Sequence, residues 1–186
     1  MKIVALLGSP RINGNTAILM EEVLKGAKAA GAETQSFVLN DLDISWCQGC
    51  FACKVKPYCI VTDDGNTIIE AITNADGIIF ATPIYMWDMT AQLKTIIDRF
   101  TCLLNPDFTS KLLPGKKVLW TVTQGQSDID LFSDVFVRHE KMLQFLGFGE
   151  NKLLIAGGLH RPGDIENRAD IMGKARELGG WLAAKK

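Results

Sequence analysis

The chain has 186 residues, 47% of them hydrophobic and 22% charged, with a formal net charge of −1. That length and apolar content suffice for one sizeable α/β core without disulfide staples, and the even mixture of acids and bases gives none of the basic footprint of a nucleic-acid binder. After Met1-Lys2 only five apolar residues, Ile3 to Leu7, precede Gly8, too few for a signal-peptide core or a membrane span; a cytoplasmic location and small-molecule partners are expected, with no nucleic acid and no membrane.

Along the chain, apolar runs alternate with helix-period segments, the pattern of βαβ units and a parallel sheet covered on both faces. Ile3–Leu7 is the first predicted strand. It runs into Gly8-Ser9-Pro10-Arg11-Ile12-Asn13-Gly14-Asn15-Thr16, and a helix follows over Thr16–Ala30. A loop at this place is where a doubly wound sheet binds phosphate. Gly8 and Gly14 let the backbone approach an anion; Ser9, Asn15 and Thr16 offer hydroxyl and amide donors, and Arg11 adds charge at the positive end of the helix. The loop is neither a Walker A motif nor a G-x-G-x-x-G fingerprint, and an ordinary βα turn with Asn15 or Thr16 as a helix cap is the plain alternative.

Thr34–Leu39 is a more polar strand, suited to a sheet edge. The stretch from Asp41 to Gly65 then lacks clear periodicity, and structureless loops of that length in compact domains are usually functional. It holds Cys47-x-x-Cys50-x-x-Cys53-x₅-Cys59, four of the chain's five cysteines. Two-residue gaps let three thiolates surround one face of a cubane, with a longer gap bringing in the fourth, as in iron–sulfur proteins. Unlike the bacterial ferredoxin run, this one has five residues before the last Cys, and Ile60 follows it where proline is usual. Zinc also accepts four thiolates, although structural zinc sites usually draw on two separated Cys pairs, and a loop without metal is the third possibility. In a reducing compartment, clustered Cys means metal or redox chemistry more often than disulfides.

Asp63 and Asp64 precede Gly65 and a helical segment, where capping explains them. Gly77–Thr82 is the third strand, and Thr82-Pro83-Ile84-Tyr85-Met86-Trp87-Asp88 leaves it at the edge where the phosphate loop lies. In a flavodoxin-like order, strands one and three flank the switch-point crevice. Tyr85 and Trp87 would there cover a flat heteroaromatic ring, or else cover the sheet or a subunit contact. Met89, Leu93, Ile96, Ile97 and Phe100 share one helical stripe, beside which Cys102 reads as a buried inert thiol; Asp98 and Arg99 read as a solvated pair or as a brace for the sheet edge. Val118–Thr123 is the fourth strand, followed by Gln124-Gly125-Gln126-Ser127 at the same edge, able to hydrogen-bond a ring or to serve as an unremarkable loop. Phe132, Val135, Phe136, Leu143 and Leu146 mark another helix, Leu153–Ala156 the fifth strand, and Ile165–Ala184 the last helix. His139 and His160 have no partner motif and are assigned surface or packing roles. No Ser-His-Asp or paired-carboxylate arrangement is present, which argues against hydrolysis.

Together these residues resemble the NAD(P)H-dependent FMN reductase group of flavodoxin-like proteins, and within it the iron–sulfur flavoproteins. The resemblance rests on Gly8-Ser9-Pro10-Arg11 with Gly14-Asn15-Thr16, on Ala75-Asp76-Gly77 followed by Pro83-Ile84-Tyr85, on Lys94 and Asp98-Arg99, and on the Cys run leading to Asp63-Asp64. It implies one flavodoxin-like domain over residues 1–186, a three-layer sandwich on a five-stranded parallel sheet of order 2-1-3-4-5, with a cysteine-rich loop at about 41–65. It implies FMN, with Ser9, Arg11, Asn13, Gly14, Asn15 and Thr16 at the phosphate, and Pro83, Ile84, Tyr85, Met86, Trp87, Gln124 and Gly125 at the isoalloxazine. It also implies a 4Fe-4S cluster on Cys47, Cys50, Cys53 and Cys59.

The chemistry is then carried by FMN, and the donor is NAD(P)H or a ferredoxin-type protein. Two other functions stay open: an FMN or quinone reductase without a cluster, and a non-enzymatic flavin-binding or regulatory protein. A homodimer or homotetramer is expected, because an exposed aromatic loop and an external cluster loop leave apolar surface that a lone subunit would show to water.

Overall fold

A computed structural model describes residues 1–184. Five parallel strands, β1 (Lys2–Leu7), β2 (Glu33–Val38), β3 (Gly77–Pro83), β4 (Lys117–Thr123) and β5 (Asn151–Ala156), form one sheet in the order β2-β1-β3-β4-β5. Helices α1 (Asn15–Ala29) and α5 (Ala169–Ala183) cover one face. The other is covered by α2 (Asp64–Asn74), α3 (Ala91–Asp98) and α4 (Ser133–Phe145). The expected flavodoxin-like sandwich is the fold.

Side-chain alternation builds the two cores. Ile3, Ala5 and Leu7 of β1 face α1 and α5 with Ile79, Ala81 and Leu119. Val4 and Leu6 face the other way with Ile78, Phe80, Val118, Trp120 and Val122. Both faces of the central strands are therefore apolar, which is why these strands read as continuous runs rather than as alternating ones. β2 lies at an edge, as its polar composition predicts, with three of its six residues exposed.

The last helix departs from the sequence reading. The predicted Ile165–Ala184 segment splits into a short 3₁₀ turn, Asp164–Asn167, and α5, because Arg168 leaves helical geometry at φ −104°, ψ 69°. The stripe through Phe100 also divides, with α3 ending at Asp98 and a 3₁₀ turn over Arg99–Leu103 continuing the buried face. Among the described residues no helix is long and apolar enough to cross a membrane.

Candidate functional site

The loops that leave β1, β3, β4 and β5 meet at the carboxyl edge of the sheet. One cleft there is lined by Ser9, Arg11, Gly14, Asn15 and Thr16 from the first loop, Pro83, Ile84 and Tyr85 from the third strand's exit, and Thr123, Gln124 and Gly125 from the fourth. Leu159 and Pro162, beyond β5, complete it. This is the crevice at the switch point between β1 and β3, where doubly wound sheets place their ligands.

The first loop is held by its own backbone. Ser9 is buried and its hydroxyl accepts the Arg11 N–H at 3.1 Å. Gly14 N–H donates to the Arg11 carbonyl at 3.0 Å, and the Gly14 carbonyl starts α1 by accepting from Ile18. Gly14 is an extended N-cap that brings no side chain, and the first turn has no acid, so the first-turn N–H groups face the cleft uncapped. The Thr16 hydroxyl bonds the Thr123 hydroxyl at 2.6 Å, fastening α1 to the end of β4. The Asn15 side chain donates to Arg161 O at 2.9 Å and accepts from Ile165 N–H at 3.2 Å, so its amide ties down the loop after β5. The side chain of Asn13 is exposed and Asn13 does not line the cleft.

Beyond Ile84 the chain makes a two-residue reversal. Tyr85 and Asp88 exchange N–H···O bonds of 2.9 and 3.1 Å, while Met86 and Trp87 both take positive φ, 44° and 71°. That is the backbone of a type I′ turn, normally built from Asn and Gly. Here it lifts two large side chains into solvent, Met86 at 91% and Trp87 at 69% exposure. Trp87 rests edge-on against Phe132, with centroids 5.5 Å apart. Met86, Trp87 and Phe132 line a second cleft with Gln126 and His160, which adjoins the first through Ile84, Gln124 and Gly125. Gln124 is buried between the two; its amide nitrogen donates to Gln126 O and Asp128 O, and its Oε1 has no partner among the described residues.

The cysteine loop forms a separate cavity. Cys47, Cys50, Cys53 and Cys59 all line it, with Gly49, Phe51 and Val61 from the loop and Arg99, Thr101 and Cys102 from the turn after α3. Cys53 is buried, Cys47 and Cys59 are half-buried and Cys50 is exposed. Cys102 is buried as expected, yet it lies among the other thiols; burial, reinforced by the Cys53 and Cys59 sulfurs, pushes its thiol up to about 12. Among the described residues no three His, Cys, Asp or Glu side chains are grouped closely enough to hold one metal ion.

The loop's return is pinned from below. Asp63 caps α2, accepting from Gly65 N–H at 3.0 Å, and also takes the Ser45 N–H at 2.8 Å. Burial pushes the Asp63 carboxyl up, but the Arg99 guanidinium and the two N–H donors outweigh it and hold the group below the usual carboxylate range. Arg99 is not solvated: it is 0% exposed and binds Asp63 through Nη1 at 2.5 and 2.7 Å. Asp98, its sequence neighbour, instead pairs with Lys94 on the surface. Asn66 donates to the carbonyls of Cys59 and Val61 at 3.1 and 2.9 Å, closing the loop.

Thr123, Leu159, Pro162, Phe132 and His160 line the clefts without having been singled out as contacts from the sequence. Thr123 ends an apolar run at the functional edge, a usable signal; Leu159 and Pro162 follow no motif.

Residues 1–130 match the family model described as NADPH-dependent FMN reductase. YwqN of Bacillus subtilis, whose name describes an NAD(P)H-dependent FMN-containing oxidoreductase, is 31% identical over 96% of both chains. Iron–sulfur flavoprotein MJ1083 of Methanocaldococcus jannaschii is 39% identical over 53% of this chain and 51% of its own length. The chain spans about half the length of the curated iron–sulfur flavoproteins it matches. In structure it is similar to an NAD(P)H:quinone oxidoreductase from Methanothermobacter marburgensis, with a TM-score of 0.73, 20% identity, and 100% and 98% of the two chains covered.

Proposed function

We propose, starting from the fact that this chain belongs to the NADPH-dependent FMN reductase family, that it is an FMN-dependent oxidoreductase carrying a 4Fe-4S cluster on the Cys47–Cys59 loop. The observation that carries the flavin assignment is the convergence of separate βα loops on one cleft, with the uncapped start of α1 at one end and the Pro83–Tyr85 exit at the other. Free N–H groups and the positive end of α1 suit a phosphate. Arg11 stands at the same end with an exposed side chain. Gln124 Oε1 is a buried acceptor without a partner among the described residues, the kind of group that a ring N–H satisfies.

When bound, FMN supplies one- and two-electron chemistry. The chain's own residues would position it: Ser9, Arg11, Gly14, Asn15 and Thr16 would hold the phosphate, and Pro83, Ile84, Tyr85, Gln124 and Gly125 would contact the ring. Met86, Trp87 and Phe132 form the apolar side of the adjoining cleft, where a planar donor or acceptor would be shielded from water. NAD(P)H or a ferredoxin-type protein is the proposed electron donor.

The cluster assignment is supported by the gathering of four cysteines around one cavity with no acidic side chain among its lining residues, and by iron–sulfur flavoproteins among the relatives. Cysteines that bind the four separate irons of a cubane stand farther apart than the tetrahedral set around one zinc ion. A cluster-free FMN or quinone reductase is the second reading, favoured by the exposure of Cys50 and the lack of a close metal-binding group among the described residues. Thiolate ligation calls for a reducing compartment, hence a cytoplasmic location. A homodimer or homotetramer is proposed to cover Met86, Trp87 and the exposed Trp46, Phe51 and Tyr58; a mass near 20.4 kDa in sedimentation equilibrium would contradict it.

Anaerobic purification, iron and sulfide reconstitution and a visible spectrum decide between the two readings. Flavin bands with a broad iron–sulfur shoulder support the first; flavin bands alone, with no acid-labile sulfide, support the second. Arg11→Ala is expected to weaken FMN binding by about 1.5 kcal/mol, the low end for a charge-assisted bond because the side chain is exposed. Unchanged affinity in a fluorescence titration removes Arg11 from the site, and release of FAD on denaturation overturns FMN.

A further inference from the structure

We propose that Arg99 is the positioning residue of the cysteine cavity, donating its Nε–H to the anionic group held there and setting that group's reduction potential. This rests on the cluster reading above. The guanidinium is fully buried and four of its five donors have a direction assigned. Nη1 binds both oxygens of Asp63 and lies 3.4 Å from Ser45 O, while Nη2 donates to Asn66 Oδ1 at 3.0 Å and lies 3.5 Å from Val61 O. Nε alone is buried with no partner among the described residues, and Arg99 lines the cavity. A buried donor carries its full desolvation cost until something accepts from it.

The charge around the cavity points the same way. Lys54 Nζ donates to the carbonyls of Thr101 and Leu104 at 2.6 and 3.0 Å, and Lys111 Nζ to those of Cys102 and Cys53 at 3.0 and 3.3 Å. Both ammonium groups are spent on carbonyl oxygens, not on carboxylates. Arg99 lines the cavity, both lysines bond carbonyls of residues that line it, and no carboxylate is among the lining residues, so the local positive charge suits an anion there. Four thiolates on an iron–sulfide core carry net negative charge, and the charge grows by one when the cluster takes one electron. An N–H donor and a positive charge beside it favour that reduced form and raise the potential. The fork packs directly against the backbone of Gly65, where a Cβ would fall 2.2 Å from Nη1.

The test compares anaerobically reconstituted wild type with Arg99→Lys, which keeps the charge and removes Nε, and with the neutral double variant Asp63→Asn/Arg99→Gln. With flavin content and iron content equal, the proposal expects dithionite titrations followed by electron paramagnetic resonance to shift toward the oxidised cluster. The oxidised-to-reduced ratio at a given potential should rise at least tenfold in Arg99→Lys, about 59 mV for one electron, and further in the double variant. Potentials equal to wild type in both overturn it. If neither variant folds, ¹⁵N-arginine spectra of the wild type decide: the Arg99 Nε–H signal must shift or broaden on cluster loading, and a signal unchanged by loading overturns the proposal. A wild type that binds FMN but takes up no iron overturns the cluster reading itself, a result distinct from a loaded wild type indifferent to Arg99.

Discussion

Asp63 accepts four contacts from three donor nitrogens with one carboxylate: one each from the Ser45 and Gly65 N–H groups and two from Arg99 Nη1. Its folded-state pKa lies below the ordinary value of 3.8, so its stabilising contribution is present above that pH and is lost as pH falls below it. Glu22, buried between Lys25 and Arg176, is lowered in the same sense from 4.5, its neighbours outweighing the opposing effect of burial. Stability is therefore expected to be flat near neutrality and to fall below about pH 4. Asp63→Asn should cost about 3–5 kcal/mol at pH 7, because it leaves the Arg99 charge buried and unpaired. It should also flatten the acid limb in urea denaturation across pH 6 to 3; an acid limb as steep as that of wild type would place the titration elsewhere. Asp63 was readable from sequence as a cap, whereas its pairing with Arg99, 36 positions away, was not, since no local pattern encodes which helix-end cation reaches a cap. The same holds for Cys102, whose apolar neighbours indicate burial while its closeness to Cys53 and Cys59 depends on how the loop folds back.

The α1–α5 pair shows how tightly single elements are specified. A Cβ on Gly179 would lie 2.0 Å from Val23 O and 2.7 Å from Ala27 N, and one on Gly26 would lie 2.0 Å from Arg176 O, so the two helices touch backbone to backbone. At Gly180, one position on, a Cβ meets nothing within 4 Å. Gly179→Ala should therefore cost about 1–3 kcal/mol through overpacking, while Gly180→Ala should gain up to about 1 kcal/mol from helix propensity. Denaturant midpoints moving in the same direction for both would refute this close approach. The five strands and the amphipathic stripes were readable because both faces of the sheet are buried and the apolar periods are strong. The break at Arg168 was not, because Ile165 packs in the core on a 3₁₀ turn and so continues the apolar period across a bend.

Across the whole molecule, the cleft proposed for flavin and the cysteine cavity have no lining residue in common. The cleft's walls come from the ends of β1, β3 and β4 and the loop after β5, whereas the cavity belongs to residues 47–61 and the turn after α3, held by Asp63, Asn66 and Arg99. The glycine-bearing first loop and the cysteine run were legible because each gathers its chemistry within about a dozen positions of sequence; Leu159, Pro162 and Phe132 reach the cleft only through tertiary packing. Separate construction predicts separate loss. Cys50→Ser, the exposed member of the set, should lose most of its reconstituted iron while FMN affinity stays within about twofold of wild type, a change of under 0.5 kcal/mol. Thr16→Val removes the hydroxyl that joins α1 to Thr123 at the phosphate end, and should weaken FMN tenfold or more, about 1.4 kcal/mol, with iron uptake intact. Flavin and iron stoichiometries on the same preparations provide the measurement. Loss of FMN in Cys50→Ser would mean that the cysteine loop shapes the flavin cleft, and loss of iron in Thr16→Val would mean that flavin binding is required to order the cavity.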